Sequence, residues 1–451
     1  MSSLMLPFMA GSGNPVHGPP DAPCPRIPPG PGRIDDTQPL RHATSRRPSI
    51  LSSPGSCLSL LRHTLPTADL YLPVKMHLAS SLFLLATLPF GFAAGKGKGK
   101  GKDNSDVGLD VLAKKAGLKY FGAATDTPGQ RERAGLEDKY PEYDRIMWHS
   151  PEFGSTTPTN GQKWLFVEPE RGVFNFTEGD VVASKARQHG KLLRCHALVW
   201  HSQLAPWVEE TEWTPEELRK VIVDHITAVA GHYKGQCYAW DVVNEALNED
   251  GTYRESVFYK VLGEEYIKLA FETAAKVDPK AKLYYNDYNL EWPSAKTEGA
   301  KRIVKLLKDA KIPIHGVGLQ AHLIAEQHPT LDDHIAAIRG FTQLGVEVAL
   351  TELDIRLKTP ATEENLALQR EAYKNVVGAC VQVCGCVGVT IWDFYDPFSW
   401  VPYFFEGEGA PLLWFEDFSK HPAYYGVVEA LTNKTRRSKR SISDRRAKLL
   451  A

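Results

Sequence analysis

Eight times between residues 120 and 394 the chain repeats one pattern: a short apolar run, a polar or aromatic ending, then a longer stretch with helical spacing. The runs are YFGAATD (120–126), GSTTPTNGQK (154–163), KLLRCHALVW (191–200), YAWDVVNE (238–245), KLYYNDYN (282–289), GVGLQAHL (316–323), VEVALTELD (346–354) and GVTIWDF (388–394). Between them lie helical patterns such as TPEELRKVIVDHITAVAGHY, with Thr214 as N-cap and Pro215 at the first helical position. Strands that alternate with helices need a parallel sheet. Eight such units predict an α/β fold, a (β/α)8 TIM barrel, whose active residues sit at the C-terminal ends of its strands. The alternative is an open doubly wound sheet, which often carries a Gly-rich phosphate turn that this sequence lacks.

The flanks have a different composition. Residues 1–75 are rich in Pro, Ser and Arg without periodicity, as expected of an unfolded extension or of sequence that is not translated. From Met76 the chain reads MHLASSLFLLATLPFGFAAG, an apolar run that closes on small residues, so 76–93 is read as a secretory signal peptide and Met76 as the start of translation. A start upstream of Met76, found by sequencing the secreted protein's precursor, would contradict this. A membrane anchor is the other reading, and Pro89 and the shortness of the run oppose it. Residues 94–105 form a Gly/Lys linker, 106–431 the barrel, and 432–451 a basic disordered tail. The expected product is secreted and extracellular, with no membrane attachment once the signal is removed.

Charge separates along the same boundaries. Residues 103–431 carry 34 Lys and Arg against 49 Asp and Glu, so the barrel repels polyanions and nucleic acid is set aside as a partner. Five cysteines follow Met76, and an oxidising destination permits disulfides while an odd count leaves at least one thiol. Cys380 and Cys386 are expected to pair. Cys195 and Cys237 are expected to be thiols: if His196 and Asn244 are level, Cys237 lies on the order of 20 Å down its strand. The state of Cys384 is left open. A metal reading of CVQVCGC lacks a nearby His at ligand spacing, and no metal or cofactor is expected. Asn175 and Asn433 open sequons.

The strand endings carry the chemistry. In order they present Asn160 and Lys163, then His196 and Trp200, then Asn244 and Glu245. Next come Asn286, Asp287 and Tyr288, then Gln320 and His322, then Glu352 and Asp354, and finally Trp392. A single buried His or Trp is usually packing. Seven strands with polar or aromatic ends converging in one place are hard to explain as core, because each buried polar group would need its own partner. Two carboxyls with amides, a His and flat indole faces suit the cleavage of a glycosidic bond.

LVWHSQ, WDVVNEA, YNDYN, GLQAHL and TELDIR, in this order across residues 106–431, resemble the signature segments of glycoside hydrolase family 10, the endo-β-1,4-xylanases. The resemblance implies a retaining endo-hydrolase of β-1,4-xylosidic bonds in xylan. It implies Glu245 as general acid/base, Glu352 as nucleophile, and His322 and Asp354 as a supporting relay beside Asn244. Asn160, Lys163, His196, Trp200, Asn244 and Gln320 match glycone-side positions. Trp392 and Trp400 match the aromatic pair over the sugar at the cleavage point, and Tyr288 matches an aglycone-side contact. The chain departs from the family pattern at Gly161-Gln162-Lys163, Arg194-Cys195-His196-Ala197, Trp392-Asp393 and Trp400-Val401. Xylan is the expected partner and the protein is expected to act as a monomer. A β-1,4-glucanase on the same scaffold, or an inactive carbohydrate-binding barrel, are the competing readings. A metal-dependent hydrolase is disfavoured because His196, His201 and His322 fall on separate elements.

Overall fold

The computed structural model describes residues 107–126 and 140–433. The expectations for residues 1–75, 76–93 and 94–105, and for the tail after residue 433, lie outside the described residues.

Eight strands pair in chain order, all parallel: β1 (Tyr120–Thr125), β2 (Ser155–Pro158), β3 (Leu192–Trp200), β4 (Cys237–Asn244), β5 (Lys282–Asp287), β6 (Gly316–Leu319), β7 (Glu347–Lys358) and β8 (Cys386–Ile391). β8 then pairs with β1, Tyr120 level with Gly388, which closes the sheet into a barrel and removes the open-sheet alternative.

The helices between strands follow from local chemistry. Thr214 and Glu217 form a reciprocal capping box ahead of helix Pro215–His232, and Pro215 fixes its first turn. Leu218, Val221, Ile222, Ile226 and Val229 recur at three- and four-residue steps on its buried face. At about 1.5–3 kcal/mol per fully buried aliphatic side chain, that stripe rather than intrinsic propensity holds the helix against the sheet. Thr330 with Asp333 and Thr362 with Asn365 cap helices Leu331–Thr342 and Glu363–Gln382 in the same way. Among the described residues no helix is long and apolar enough to cross a membrane.

Three strand ends differ from the sequence expectation. β2 stops at Pro158, because the chain bends at Asn160 and Gly161 and turns into the short helix Trp164–Val167. β6 stops at Leu319; Ala321 takes a left-handed φ of 64°, and His322–Ile324 pairs separately with the outer half of β7. β8 ends at Ile391, before Asp393 at φ 67°. In each case a backbone turn lifts the polar residues out of the ladder and over the barrel mouth.

The cysteines divide. Cys380 and Cys386 form a disulfide, as expected, with Cα atoms 5.2 Å apart, joining the end of helix Glu363–Gln382 to the start of β8. Cys195 and Cys237 are not thiols: they too are bonded, with Cα atoms 5.7 Å apart. The expectation failed on register. Asp241, not Asn244, is level with His196, and Cys237 lies beside Leu193, two residues from Cys195. Irregularities at Leu193/Arg194 and at His196/Val199 shift β3 against β4, which no even strand rise anticipates.

Candidate active site

The floor of the mouth is an amide reaching across two strands. Asn286, at the end of β5, donates from Nδ2 to Glu352 Oε1 on β7 at 2.7 Å and to the Asn244 carboxamide on β4 at 2.9 Å. Its own oxygen accepts from Thr351 Oγ1 at 2.7 Å, which fixes the amide's orientation. The reach needs Gly318 on the intervening β6, where a Cβ would collide with Asn286 Oδ1. In the opposite orientation of its amide, Asn244 accepts from Trp200 Nε1 at 3.2 Å in place of the Asn286 Nδ2 bond.

Glu352 is 5% exposed. Its amide donates to the Gln320 carbonyl at 2.9 Å, and its second carboxyl oxygen meets His322 Nε2 at 3.3 Å. His196 Nδ1 approaches Oε1 at 4.0 Å. Burial disfavours the charge, but His196, His322 and the Asn286 amide together outweigh it and hold the Glu352 carboxyl at about 2. His322 is the counterpart. Burial opposes its cation, while Asp354, 2.9 Å from Nδ1, and Glu352 on the other nitrogen raise it to about 10. Trp400 Nε1 donates to the same Asp354 oxygen at 2.8 Å, so the Trp400 indole and the histidine share one carboxylate. Trp392 stands edge-on to His196, ring centroids 5.4 Å apart, and Trp400 edge-on to His322 at 5.0 Å.

Glu245 occupies the other side. It ends β4 in a left-handed turn, φ 54°, pinned by its amide to the Asn286 carbonyl at 2.9 Å. A non-glycine residue there is strained by the order of 1–3 kcal/mol, and the turn aims the half-buried side chain into the mouth rather than along the strand. Gln320 Nε2 donates to Glu245 Oε1 at 3.1 Å. Both carboxyls therefore touch donors from one segment, Gln320 on the Glu245 side and His322 on the Glu352 side.

Around this pair, Lys163 Nζ donates to Asn160 Oδ1 at 3.1 Å and to Gln203 Oε1 at 2.7 Å, and lies 4.8 Å from the Trp200 ring. Burial lowers the Lys163 pKa, against the pull of Glu352, Asp126 and Glu245. Tyr288 accepts from Arg254 Nη2 at 2.9 Å, and Arg254 Nε also donates to the Glu245 carbonyl at 3.2 Å. The structure thus brings Asn160, Lys163, His196, Trp200, Asn244, Glu245, Tyr288, Gln320, His322, Glu352, Asp354, Trp392 and Trp400 into one contact network at the C-terminal end of the barrel. The Cys380–Cys386 bridge lies apart from it, at the start of β8.

Sequence reasoning passed over several members. Asp126 follows the end of β1, the one strand end left without an assigned residue, and accepts from the Asn160 amide at 2.8 Å. Asp241, mid-strand and buried, holds His196 Nδ1 at 2.9 Å and is itself paired with Arg194. Gln203 closes the LVWHSQ segment, a signal that was there to be used, whereas Arg254 lies on a loop without a motif and no sequence signal pointed to it.

A closed (β/α)8 barrel with an ionised and a partly exposed carboxyl facing one another among amides and indoles defines a paired-carboxylate glycosidase architecture. The model of Glycosyl hydrolase family 10 matches residues 108–430, and the chain belongs to that family. It is 50% identical over 324 residues to endo-1,4-beta-xylanase 1 of Humicola insolens, covering 72% of this chain and 74% of that one. Against endo-1,4-beta-xylanase A of Fusarium oxysporum f. sp. lycopersici the identity is 47%, over 72% of this chain and 99% of the relative. The crystal structure of a GH10 xylanase from Bispora sp. MEY-1 with xylobiose superposes at a TM-score of 0.69 with 41% identity, over 72% of this chain and 99% of that one.

Proposed function

We propose that the protein is a secreted, monomeric endo-1,4-β-xylanase that cleaves internal bonds of xylan with retention of anomeric configuration. The observation that carries this is the asymmetry of the two carboxyls. Glu352 is buried, ionised and braced by His322 and Asn286, as a nucleophile must be. Glu245 is half-buried, open to the mouth and touched by neutral amide donors, as suits a group that both gives and takes a proton.

In the first step a Glu352 oxygen attacks the anomeric carbon. The bond to the leaving oxygen breaks, and Glu245 delivers its proton to that oxygen. The products are a glycosyl ester on Glu352, an aglycone with a free hydroxyl, and an ionised Glu245. Glu245 then removes a proton from water, whose oxygen attacks the same carbon and releases Glu352. Retention requires carboxyls ~5–5.5 Å apart. Asn244 would hold a ring hydroxyl of the sugar under attack. Asn160, Lys163, His196, Trp200 and Gln320 would line the glycone side, Tyr288 the aglycone side, with Trp392 and Trp400 stacked above.

Reaction on glucuronoxylan, arabinoxylan and carboxymethylcellulose tests the reading. Reducing ends should appear rapidly on both xylans and slowly or not at all on cellulose. Strong cellulose cleavage with none on xylan would make the protein a β-1,4-glucanase, and an inverted anomer in the first-formed product would refute retention. Secretion is supported by the sequence of residues 76–93 and by two disulfides, which persist in oxidising surroundings. Recovery of the protein from medium with its N-terminus after residue 93 would bear that out.

A further inference from the structure

Glu291 lies outside the contacts described above. It follows the YNDYN segment, is 1% exposed, and does not reach the mouth. Its Oε1 accepts a 2.7 Å hydrogen bond from the Ala321 amide. Ala321 is the residue between Gln320 and His322, and its φ of 64° is a conformation a side-chain-bearing residue adopts only when its surroundings hold it there. That single turn separates the donor to Glu245 from the donor to Glu352. Gln320 keeps its backbone in the ladder, bonding the Asp287 carbonyl at 3.0 Å and receiving the Glu352 amide at 2.9 Å. One residue later the Ala321 carbonyl receives the Asp354 amide at 3.3 Å. The peptide of Ala321 is thus a hub between both carboxyls and the relay behind them.

We infer that Glu291 is a positioning residue for the reaction: by fixing the Ala321 amide it sets the aim of Gln320 on Glu245 and of His322 on Glu352 together. The anchor is itself held from outside the barrel. His334, on helix Leu331–Thr342, meets the Glu291 carbonyl through Nδ1 at 2.9 Å, so the chain of contacts runs from an outer helix through Glu291 to the reacting groups. A structural loop anchor would account for burial and one hydrogen bond. It would not account for the bond falling on the strained pivot between the two donors. Burial also raises the Glu291 carboxyl to about 7, against its hydrogen bonds to backbone amides and the attraction of His322 and Lys296. Oε1 can accept from Ala321 whether or not the other oxygen carries a proton, so the contact survives neutralisation.

The inference rests on the assignment of Glu352 as nucleophile and Glu245 as acid/base, which Glu352→Gln tests by itself. Glu291→Gln keeps an acceptor at the same place and should retain near wild-type kcat on xylan and an unshifted acid limb of kcat/KM. Glu291→Leu removes the acceptor. It should lower kcat about 10- to 100-fold while KM changes less than about threefold, because misaimed catalytic groups cost rate more than binding. Its acid limb should move up by about one pH unit, since a loosened His322 no longer holds down the Glu352 carboxyl. Glu291→Asp keeps the charge, withdraws the acceptor by one methylene and should fall between the two; it carries the test if the leucine variant does not fold. Unchanged kcat and acid limb in a folded Leu or Asp variant would overturn the inference, as would a Gln variant as impaired as Leu. Either result alongside an inactive Glu352→Gln leaves the assignment of the nucleophile standing.

Discussion

The barrel holds a carboxylate at each end, and the two are held in opposite ways. At the closed end Glu347 begins β7 and is surrounded by cations and phenols: Lys282 Nζ at 2.9 Å, Lys119 Nζ at 3.5 Å, Tyr284 Oη at 2.6 Å and Tyr238 Oη at 3.3 Å. At the mouth Glu352, five residues along the same strand, has a neutral amide and one histidine within hydrogen-bonding reach, and a second histidine 4.0 Å away. The nearer histidine, His322, is shared with Asp354. Both carboxyls titrate below their usual range although burial opposes it. Glu347 is ringed by two ammonium groups and two phenols. Glu352 stays ionised on fewer, partly shared donors, as its proposed role as nucleophile requires. One strand therefore carries two anions in unlike surroundings, one tied to cations and phenols and the other proposed to react.

The largest expected effect breaks the mouth alone. Glu352→Gln should lower turnover of every glycoside by at least about 10⁴-fold, as removal of a covalent nucleophile does. Steady-state kinetics on xylan and on an activated aryl xyloside measure it. Glu245→Ala should cost about 10²–10⁴-fold on xylan yet spare much of the first step on the aryl substrate, whose leaving group needs no proton. Burst kinetics with that substrate would separate the two steps. The reverse pattern in the two variants would exchange their roles.

The next effect concerns how the strands are tied. The Cys195–Cys237 bridge spans 42 residues, and a loop of that length confers about 4 kcal/mol by chain-entropy reasoning. Replacing both cysteines with serine should lower the melting temperature by several degrees, and non-reducing digestion of the native protein should yield the two peptides linked. This bridge also marks how far the sequence could be read. Strand order, barrel closure and the residues at strand ends were legible because eight apolar runs, seven of them breaking into Asn, Glu, His or Trp, fit few folds besides a barrel with a polar mouth. Glu245 and Glu352 were legible for that reason. Register was not: the irregularities that shift β3 against β4 depend on neighbours across the sheet and leave no local mark. Positions that act through backbone turns were equally silent. Gln203, at φ 46°, meets Lys163 through a turn that its own segment LVWHSQ does not announce, and Arg254 meets the Glu245 carbonyl from a loop with nothing in the adjacent residues to single it out.

Acid and base should then distinguish the mouth from the closed end. The Glu352 carboxyl lies at about 2 against an ordinary 4.5, so its contribution to stability is complete above pH 4.5 and disappears as the pH falls through about 2. His322 lies at about 10 against 6.5, so its contribution is complete below pH 6.5 and disappears as the pH rises through about 10. The mouth is therefore most stable between pH 4.5 and 6.5. The loss on the acid side is roughly 3 kcal/mol for the Glu352 shift. Thermal melts across pH should show that slope in the wild type and lose most of it in Glu352→Gln.

The smallest effect comes from the opposite end. Glu347→Gln leaves Lys119 and Lys282 without their anion, but their side chains keep 30% and 35% of their surface exposed and can turn to water. The cost should be about 1–2 kcal/mol, below that of breaking a fully buried pair, because Tyr284 and Tyr238 still find an amide oxygen. Turnover on xylan should stay within about twofold of wild type, since no contact of Glu347 reaches the mouth. Chemical denaturation and xylan kinetics on the same preparation decide the matter. A large loss of kcat with unchanged stability would mean that the two ends of β7 are coupled and that the division between a structural and a chemical carboxylate is wrong.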